Sequence, residues 1–121
     1  MTTVNYVLAA LPPRDSNAIA VYTWSPIVNV GDVGQEVNGA GFADRSFQID
    51  GIGGGTVVIE GSNDGINYYT LHDAFANLII ITSAQIVQVT EITLWIRPRL
   101  SVGSGLSTKV TGMFCSHLEA R

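Results

Sequence analysis

The sequence predicts an all-β protein: a single antiparallel β-sandwich or jelly-roll-like domain with an extended N-terminal arm. Short runs that alternate apolar and polar residues recur along the chain, and turns rich in glycine, asparagine and aspartate separate them. No stretch long enough for a helix sustains a repeat of 3.6 residues. Thirteen glycines in 121 residues also favour many turns and short strands.

Residues 1–35 are predicted to form an arm or a set of edge strands, and residues 36–121 the sandwich domain. Strands are predicted over residues 5–11 and 18–24, and each is followed closely by proline, at Pro12-Pro13 and at Pro26. Proline cannot donate to a strand ladder, so this arrangement favours a sheet edge. Two roles stay open for the segment: it covers a flank of its own domain, or it lies on a neighbouring subunit.

The sandwich domain shows a clearer alternation. Phe47 and Ile49 share one strand face, and Gly51–Gly55 is predicted to be a flexible hairpin connector to the next strand. The strands on the two sides of the loop Gly61–Asn67 are then predicted to form one hairpin, because Asn-Asp-Gly favours a tight turn. The later strands are predicted at 78–82, 86–90, 91–100 and 107–117, with a helical turn at 83–85 and Pro98 near a sheet edge.

Two patterns imitate ligand-binding loops. The glycine run 51–55 precedes a strand and not a helix, so it lacks the helix N-terminus that holds a phosphate. Glu60, Ser62 and Asp64 match the first positions of a calcium loop, but Leu71 stands where the bidentate glutamate belongs. Both patterns are therefore interpreted as structural turns.

Catalytic and metal-binding constellations are also absent from the sequence pattern. Cys115 and His117 share a strand face, but no second ligand pair follows at zinc spacing. Ser62, His72 and Asp73 supply the residue types of a catalytic triad without a nucleophile elbow around the serine. The acidic residues show no spacing that selects a pair for glycoside cleavage. The sequence thus predicts a protein that is not an enzyme and uses no cofactor or metal.

Arginine and aromatic residues are the candidates for a binding surface. Arg97 and Arg99 lie on one strand face with Trp95, and these residue types favour interface centres. They would contact an acidic partner, or each arginine would pair with an acid on a neighbouring strand. Tyr68, Tyr69 and Trp24 are candidates for a sugar-stacking platform.

Composition limits the partners. A net charge of −4 argues against a nucleic-acid partner. The longest apolar run is far shorter than the ~20 residues that span a bilayer, so no membrane partner is expected. The first residues lack the basic region of a secretory signal. With only 13% charged residues, the chain is expected to bury part of its surface against other subunits.

Three segments resemble the small β-sandwich virion proteins of tailed bacteriophages, a group with head decoration (cement) proteins and some tail accessory proteins. The segments are Gly61-Ser62-Asn63-Asp64-Gly65-x-Asn67-Tyr68-x-x-Leu71, Thr82-x-Ala84-x-Ile86-x-x-Val89 and Ile96-Arg97-Pro98-Arg99-Leu100. The resemblance covers roughly residues 45–115. It implies a structural protein that binds the major capsid protein and its own copies, commonly as a trimer.

The prediction for function is a capsid decoration protein, made in the host cytoplasm and located on the capsid surface of the virion. A tail or head–tail connector protein and a carbohydrate-binding module are the alternatives. The residues predicted to form interfaces are Tyr6, Pro12, Pro13, Trp24, Trp95, Arg97 and Arg99.

Overall fold

The computed structural model describes residues 1–14, 17–39 and 41–115, with only the backbone described at 10–14 and 17–18. Within these residues all regular structure is β, which confirms the predicted fold class. The strands are β1 (Thr3–Val4), β2 (Tyr6–Arg14), β3 (Asn17–Ile27), β4 (Val33–Gly34), β5 (Val37–Asn38), β6 (Asp44–Asp50), β7 (Thr56–Ser62), β8 (Tyr69–Thr70), β9 (Ile80–Ile81), β10 (Gln85–Gln88), β11 (Trp95–Val102) and β12 (Thr108–Cys115).

The strands form two sheets. The seven-stranded sheet has the order β1-β4-β11-β7-β8, with β5 also pairing with β11 and β9 with β7. The five-stranded sheet has the order β10-β6-β12-β3-β2 and contains only antiparallel pairs. The pair between β1 and β4 is parallel. The two sheets pack face to face as a sandwich.

Aromatic residues of the five-stranded sheet form the centre of the core. Trp24 and Phe47 stack with their ring centroids 6.1 Å apart, and Phe47 meets Phe114 edge-on at 5.7 Å. Ile59 and Ile96 face them from the seven-stranded sheet, and all five side chains are fully buried. The predicted alternation is confirmed here, because each of these residues lies on the apolar face of its strand.

The segment predicted as an arm or a set of edge strands, residues 1–35, contributes strands to both sheets. Residues 1–35 contain β1 to β4, which belong to the two sheets themselves. β3 pairs with β12 from Ile19 to Ile27 and is not an edge strand, whereas β2 lies at one edge of this sheet. Alternation within β3 buries Ala20, Tyr22 and Trp24, so this strand contributes to the core.

Three local predictions are also corrected. Gly51–Gly55 connects β6 of one sheet to β7 of the other, so it crosses between the layers and is not a hairpin connector. Residues 83–85 form no helical turn, because Gln85 already begins β10. The strand predicted from residue 91 begins only at Trp95.

Pro98 lies inside the sheet, although the sequence predicts an edge. β7 pairs with β11 on one side, while on the other side β5 pairs at Trp95 and Ile96 and β4 at Arg99. Pro98 therefore falls in the gap between two short strands, where the missing N–H breaks no described pairing. Gly34 packs against it so closely that a Cβ there would lie 2.7 Å from Pro98 Cδ.

Candidate functional site

A buried carboxylate joins two arginines on the outer face of the seven-stranded sheet. Glu60 on β7 stands opposite Arg97 on β11, and Arg99 is two residues further along the same strand. Arg97 Nε donates to Glu60 Oε1 at 2.8 Å, and Arg99 Nε donates to Oε2 at 3.0 Å. The Glu60 side chain is only 5% exposed, against 21% for Arg97 and 35% for Arg99. The arginine stems thus cover an acid that faces away from the core.

Tyr68 completes this cluster. The Arg97 guanidinium carbon lies 3.6 Å from the centroid of the Tyr68 ring, which is a cation–π contact. Burial raises the pKa of the Tyr68 hydroxyl, and the nearby Arg97 opposes that rise only in part. The phenol therefore stays neutral at physiological pH and acts as a stacking surface. We call Glu60, Tyr68, Arg97 and Arg99 the arginine face.

Trp95 lies at the end of the arginine face, under the loop between β7 and β8. It is half-buried, and a Cβ added to Gly65 would lie 3.3 Å from Trp95 Nε1. Gly65 has φ of +77°, a conformation that glycine adopts without steric cost. The loop tip thus rests on the indole, which limits how much of Trp95 a partner can touch.

The loop is held by its own aspartate. Asp64 Oδ1 accepts the backbone N–H groups of Ile66 (2.8 Å) and Asn67 (2.9 Å) and the Ser62 hydroxyl (2.8 Å). These bonds, led by the one from the Asn67 amide, hold the pKa of Asp64 far below its usual value. Asn63 Oδ1 accepts the N–H of Leu94 at 2.9 Å and ties the loop to the segment before β11. The polar side chains of the loop are therefore used to fix its shape.

A shallow depression of about 420 Å³ opens beside this loop. Tyr69 is 72% exposed at its rim, while Ser62 and Asp64 in its lining already bond to each other. The remaining lining residues are Gly61, Asn63, Asn67, Leu71 and Thr93. Asparagine amides beside an exposed aromatic ring are groups that can contact a polar ligand such as a sugar.

His72 and Glu91 form a second polar pair, away from the arginine face. The ring Nδ1 of His72 contacts one carboxylate oxygen of Glu91, and the backbone N–H of His72 donates to the other oxygen at 2.6 Å. Burial acts to raise the pKa of Glu91, but these hydrogen bonds outweigh it and hold the pKa below its usual value. Arg45, which is buried, donates to the backbone carbonyl of Glu91.

The catalytic combination considered from sequence does not form. The Ser62 hydroxyl donates to Asp64, the His72 ring contacts Glu91, and Asp73 Oδ1 accepts the N–H groups of Phe75 and Asn77. Within residues 1–14, 17–39 and 41–115, no three His, Cys, Asp or Glu side chains gather as metal ligands. His117 lies outside the described residues.

No helix among the described residues is long and apolar enough to cross a membrane.

The residues predicted for interfaces do not share one surface. Trp95, Arg97 and Arg99 lie on the outer face of the seven-stranded sheet, whereas Tyr6 packs inward, its ring centroid 4.8 Å from that of Tyr22. The placement of Trp24 in an interface is corrected, because its side chain is fully buried and its Nε1 donates to the Gln35 carbonyl at 2.9 Å. The side chains of Pro12 and Pro13 lie outside the described residues.

The sequence predicted, as one of two alternatives, that the arginines pair with an acid on a neighbouring strand, but it did not identify Glu60 as that acid or Tyr68 as a member of the site. One signal was present: Glu60 is an acid on a strand opposite a segment with arginines at alternate positions. That pattern becomes meaningful only when β7 and β11 are known to be neighbours.

Comparison with known proteins gives a likeness of fold. No protein-family model and no curated protein sequence matches the chain. The SPBc2 prophage-derived protein YomS has a similar structure, with a TM-score of 0.62 and 9% identity over 81% of this chain and 95% of that one. Oxalate oxidase aligns with a TM-score of 0.45 and 11% identity, over 93% of this chain and 52% of its own. A cupin domain from Bordetella pertussis aligns with a TM-score of 0.41 and 7% identity, over 94% of this chain and 97% of its own. The chain thus shares the fold of a prophage-derived protein.

Proposed function

We propose that this protein is a non-enzymatic structural component of a tailed-phage particle, a decoration protein that binds the assembled capsid. The three sequence segments that resemble phage virion proteins support this assignment, as does the fold shared with prophage-derived YomS. The proposed partners are the major capsid protein and further copies of this chain. The proposed location is the capsid surface of the virion, after synthesis in the host cytoplasm.

The arginine face is the observation that carries the proposal. One carboxylate holds two guanidinium groups side by side on a chain whose net charge is −4. Arg97 is stacked on Tyr68, so less side-chain freedom is lost when a partner binds. Such a rigid arginine and tyrosine surface suits contact with an acidic protein surface.

A decoration protein of this kind stabilises the shell by mass action. It binds subunits in the assembled lattice and not free ones, so each bound copy shifts the equilibrium towards the assembled state. This function requires a fixed surface and no catalytic group, in keeping with a loop whose polar side chains serve its own shape.

Co-sedimentation with capsids tests the proposal. Purified protein is expected to pellet with capsid shells that lack it, and to remain in the supernatant with free capsid protein. Arg99→Ala should weaken shell binding by about tenfold or more, as removal of an interface arginine commonly does. Lys109→Ala is the matched control, since Lys109 is exposed on the other sheet. Absence of wild-type protein from the pellet would overturn the proposal.

Imaging the particle separates the head from the tail. A density on the head surface supports a decoration protein. Rings of six or twelve copies at the tail or the connector would replace that assignment with a tail or connector component.

A carbohydrate-binding module is the second candidate, and the depression beside the loop favours it. Tyr69 is exposed there next to Asn63 and Asn67. Saturable binding on a glycan array that Tyr69→Ala abolishes would support this function. Trp24 has no part in such a site, because it is buried.

A further inference from the structure

Strand β2 is one edge of the five-stranded sheet. It pairs with β3 on one side, and among the described residues no strand pairs with it on the other. The Tyr6 N–H donates to Gln35 Oε1 at 3.3 Å, and beyond it, at residues 7–9, no part of the chain that the structure describes pairs with the free side of β2. An open edge presents backbone N–H and C=O groups to any strand that can align with it.

Apolar side chains are exposed on both faces of this edge. Val7 pairs with Thr23 on the outer face and is 72% exposed. Leu8 pairs with Tyr22, which belongs to the core, and yet Leu8 is 50% exposed on this inner face. The apolar inner face of the five-stranded sheet thus extends beyond the area that the seven-stranded sheet covers. A neighbouring strand with its own apolar residues would cover Leu8.

The charge pattern selects the partner. Residues 2–13 contain no charged side chain, and the first charge is Arg14. In a two-fold pairing of identical strands each residue meets itself or a close neighbour, and like charges directly opposite destabilise the pair. An uncharged edge strand is therefore suited to pairing with its own copy. An edge that must stay free is commonly protected by charges or by proline, and here proline begins only at Pro12.

The opposite edge of the same sheet lacks these features. β10 contains only Gln85–Gln88, and both of its end residues are polar. A short edge with polar side chains is one of the ways in which proteins avoid edge-to-edge association. Ile86 is 67% exposed there, which makes β10 a control of matched chemistry.

We propose that β2 pairs antiparallel with β2 of a second copy, across a two-fold axis perpendicular to the sheet and centred at Leu8. Leu8 is the midpoint of residues 5–11, the strand that the sequence predicts before the prolines. The axis keeps inner residues opposite inner residues, so Leu8 meets the partner's Leu8, and Val7 lies opposite the partner's Ala9. The two five-stranded sheets then join into one continuous layer. This inference does not rest on the phage assignment.

Light scattering on the purified full chain tests the pairing. The wild type should show twice the chain mass of 12.9 kDa over a concentration series. Leu8→Lys and Leu8→Glu, each alone, should fall to the monomer mass, because the axis brings the two new charges together. An equimolar mixture of the two variants should recover the dimer. Ile86→Lys should remain dimeric.

Cysteine cross-linking covers the case in which a charge at position 8 prevents folding. In a Cys115→Ser background, Leu8→Cys should form a disulfide-linked dimer under mild oxidation, and Ile86→Cys should remain monomeric on denaturing gels. A wild type that is monomeric at every concentration would overturn the pairing. So would a trimer, or a dimer that the Leu8 variants leave intact.

Discussion

Glu60 and Arg97 face each other across β7 and β11, with 2.8 Å between Glu60 Oε1 and Arg97 Nε. The second oxygen of the same carboxylate accepts from Arg99. The positive charges of the two arginines balance the negative charge of the Glu60 carboxylate. This explains how an acid on the outer face of a sheet is nearly fully buried. The arrangement also fixes both guanidinium groups before any partner arrives.

Replacing Glu60 by glutamine should destabilise the protein. The amide keeps the shape of the side chain, but its NH₂ group cannot accept from an arginine, so one charge-assisted hydrogen bond is lost. The expected decrease in the free energy of unfolding is about 1–3 kcal/mol, because both arginines are partly hydrated. Urea unfolding measures it, with Lys109→Gln at an exposed position on the other sheet as the control. An unchanged midpoint would show that the carboxylate contributes nothing to stability.

Trp24 should behave as a core residue. Trp24→Ala removes the contacts to Phe47 and Tyr22 and the hydrogen bond to Gln35, at an expected cost of about 3–5 kcal/mol. Trp24→Phe keeps an aromatic ring in the cavity and should cost less. Denaturant unfolding of both variants checks this order. Loss of partner binding without loss of stability would instead indicate a surface role.

Gly34→Ala should destabilise through a steric clash. The added Cβ would lie 2.7 Å from Pro98 Cδ and 2.7 Å from Trp24 Cδ1, both of which are held in the packed interior. Overpacking of this kind costs about 1–3 kcal/mol. In a Pro98→Ala background, Gly34→Ala should lower the free energy of unfolding by less, since the clash with the proline ring is gone. Thermal unfolding of the single and double variants measures that coupling.

Asp64 should stay ionised when the pH falls through the usual aspartate range. Its pKa is lowered in the folded state, so the stabilisation from Asp64 is fully present above the unfolded pKa and is lost only as the pH falls through the lower folded value. Carboxyl ¹³C chemical shifts report this titration directly. Ser62→Ala removes one donor and should move the pKa of Asp64 upwards towards its usual value. A normal aspartate titration in the wild type would contradict the hydrogen bonding described.

The sequence by itself determined which residues face the interior within each strand. Alternation with a period of two placed Phe47 with Ile49 and Val110 with Phe114, and these side chains are buried. It also determined the loop around Asp64, because the donors and the acceptor of that loop lie within a few residues of one another. Local interactions of this kind leave a readable pattern in the chain.

Only the tertiary structure decided which strands are neighbours. A period of two states which side chains share a face, but not which sheet a strand joins or which strand it pairs with. For that reason two predictions were wrong. Gly51–Gly55 was predicted to be a hairpin connector, but it crosses between the sheets. Trp24 was predicted to lie at an interface, but it is buried in the core. Arg97 and Arg99 were placed on one face from sequence, but their shared acid, Glu60, is separated from them by more than thirty residues. Their pairing depends on long-range register, which the alternation of a single strand does not encode.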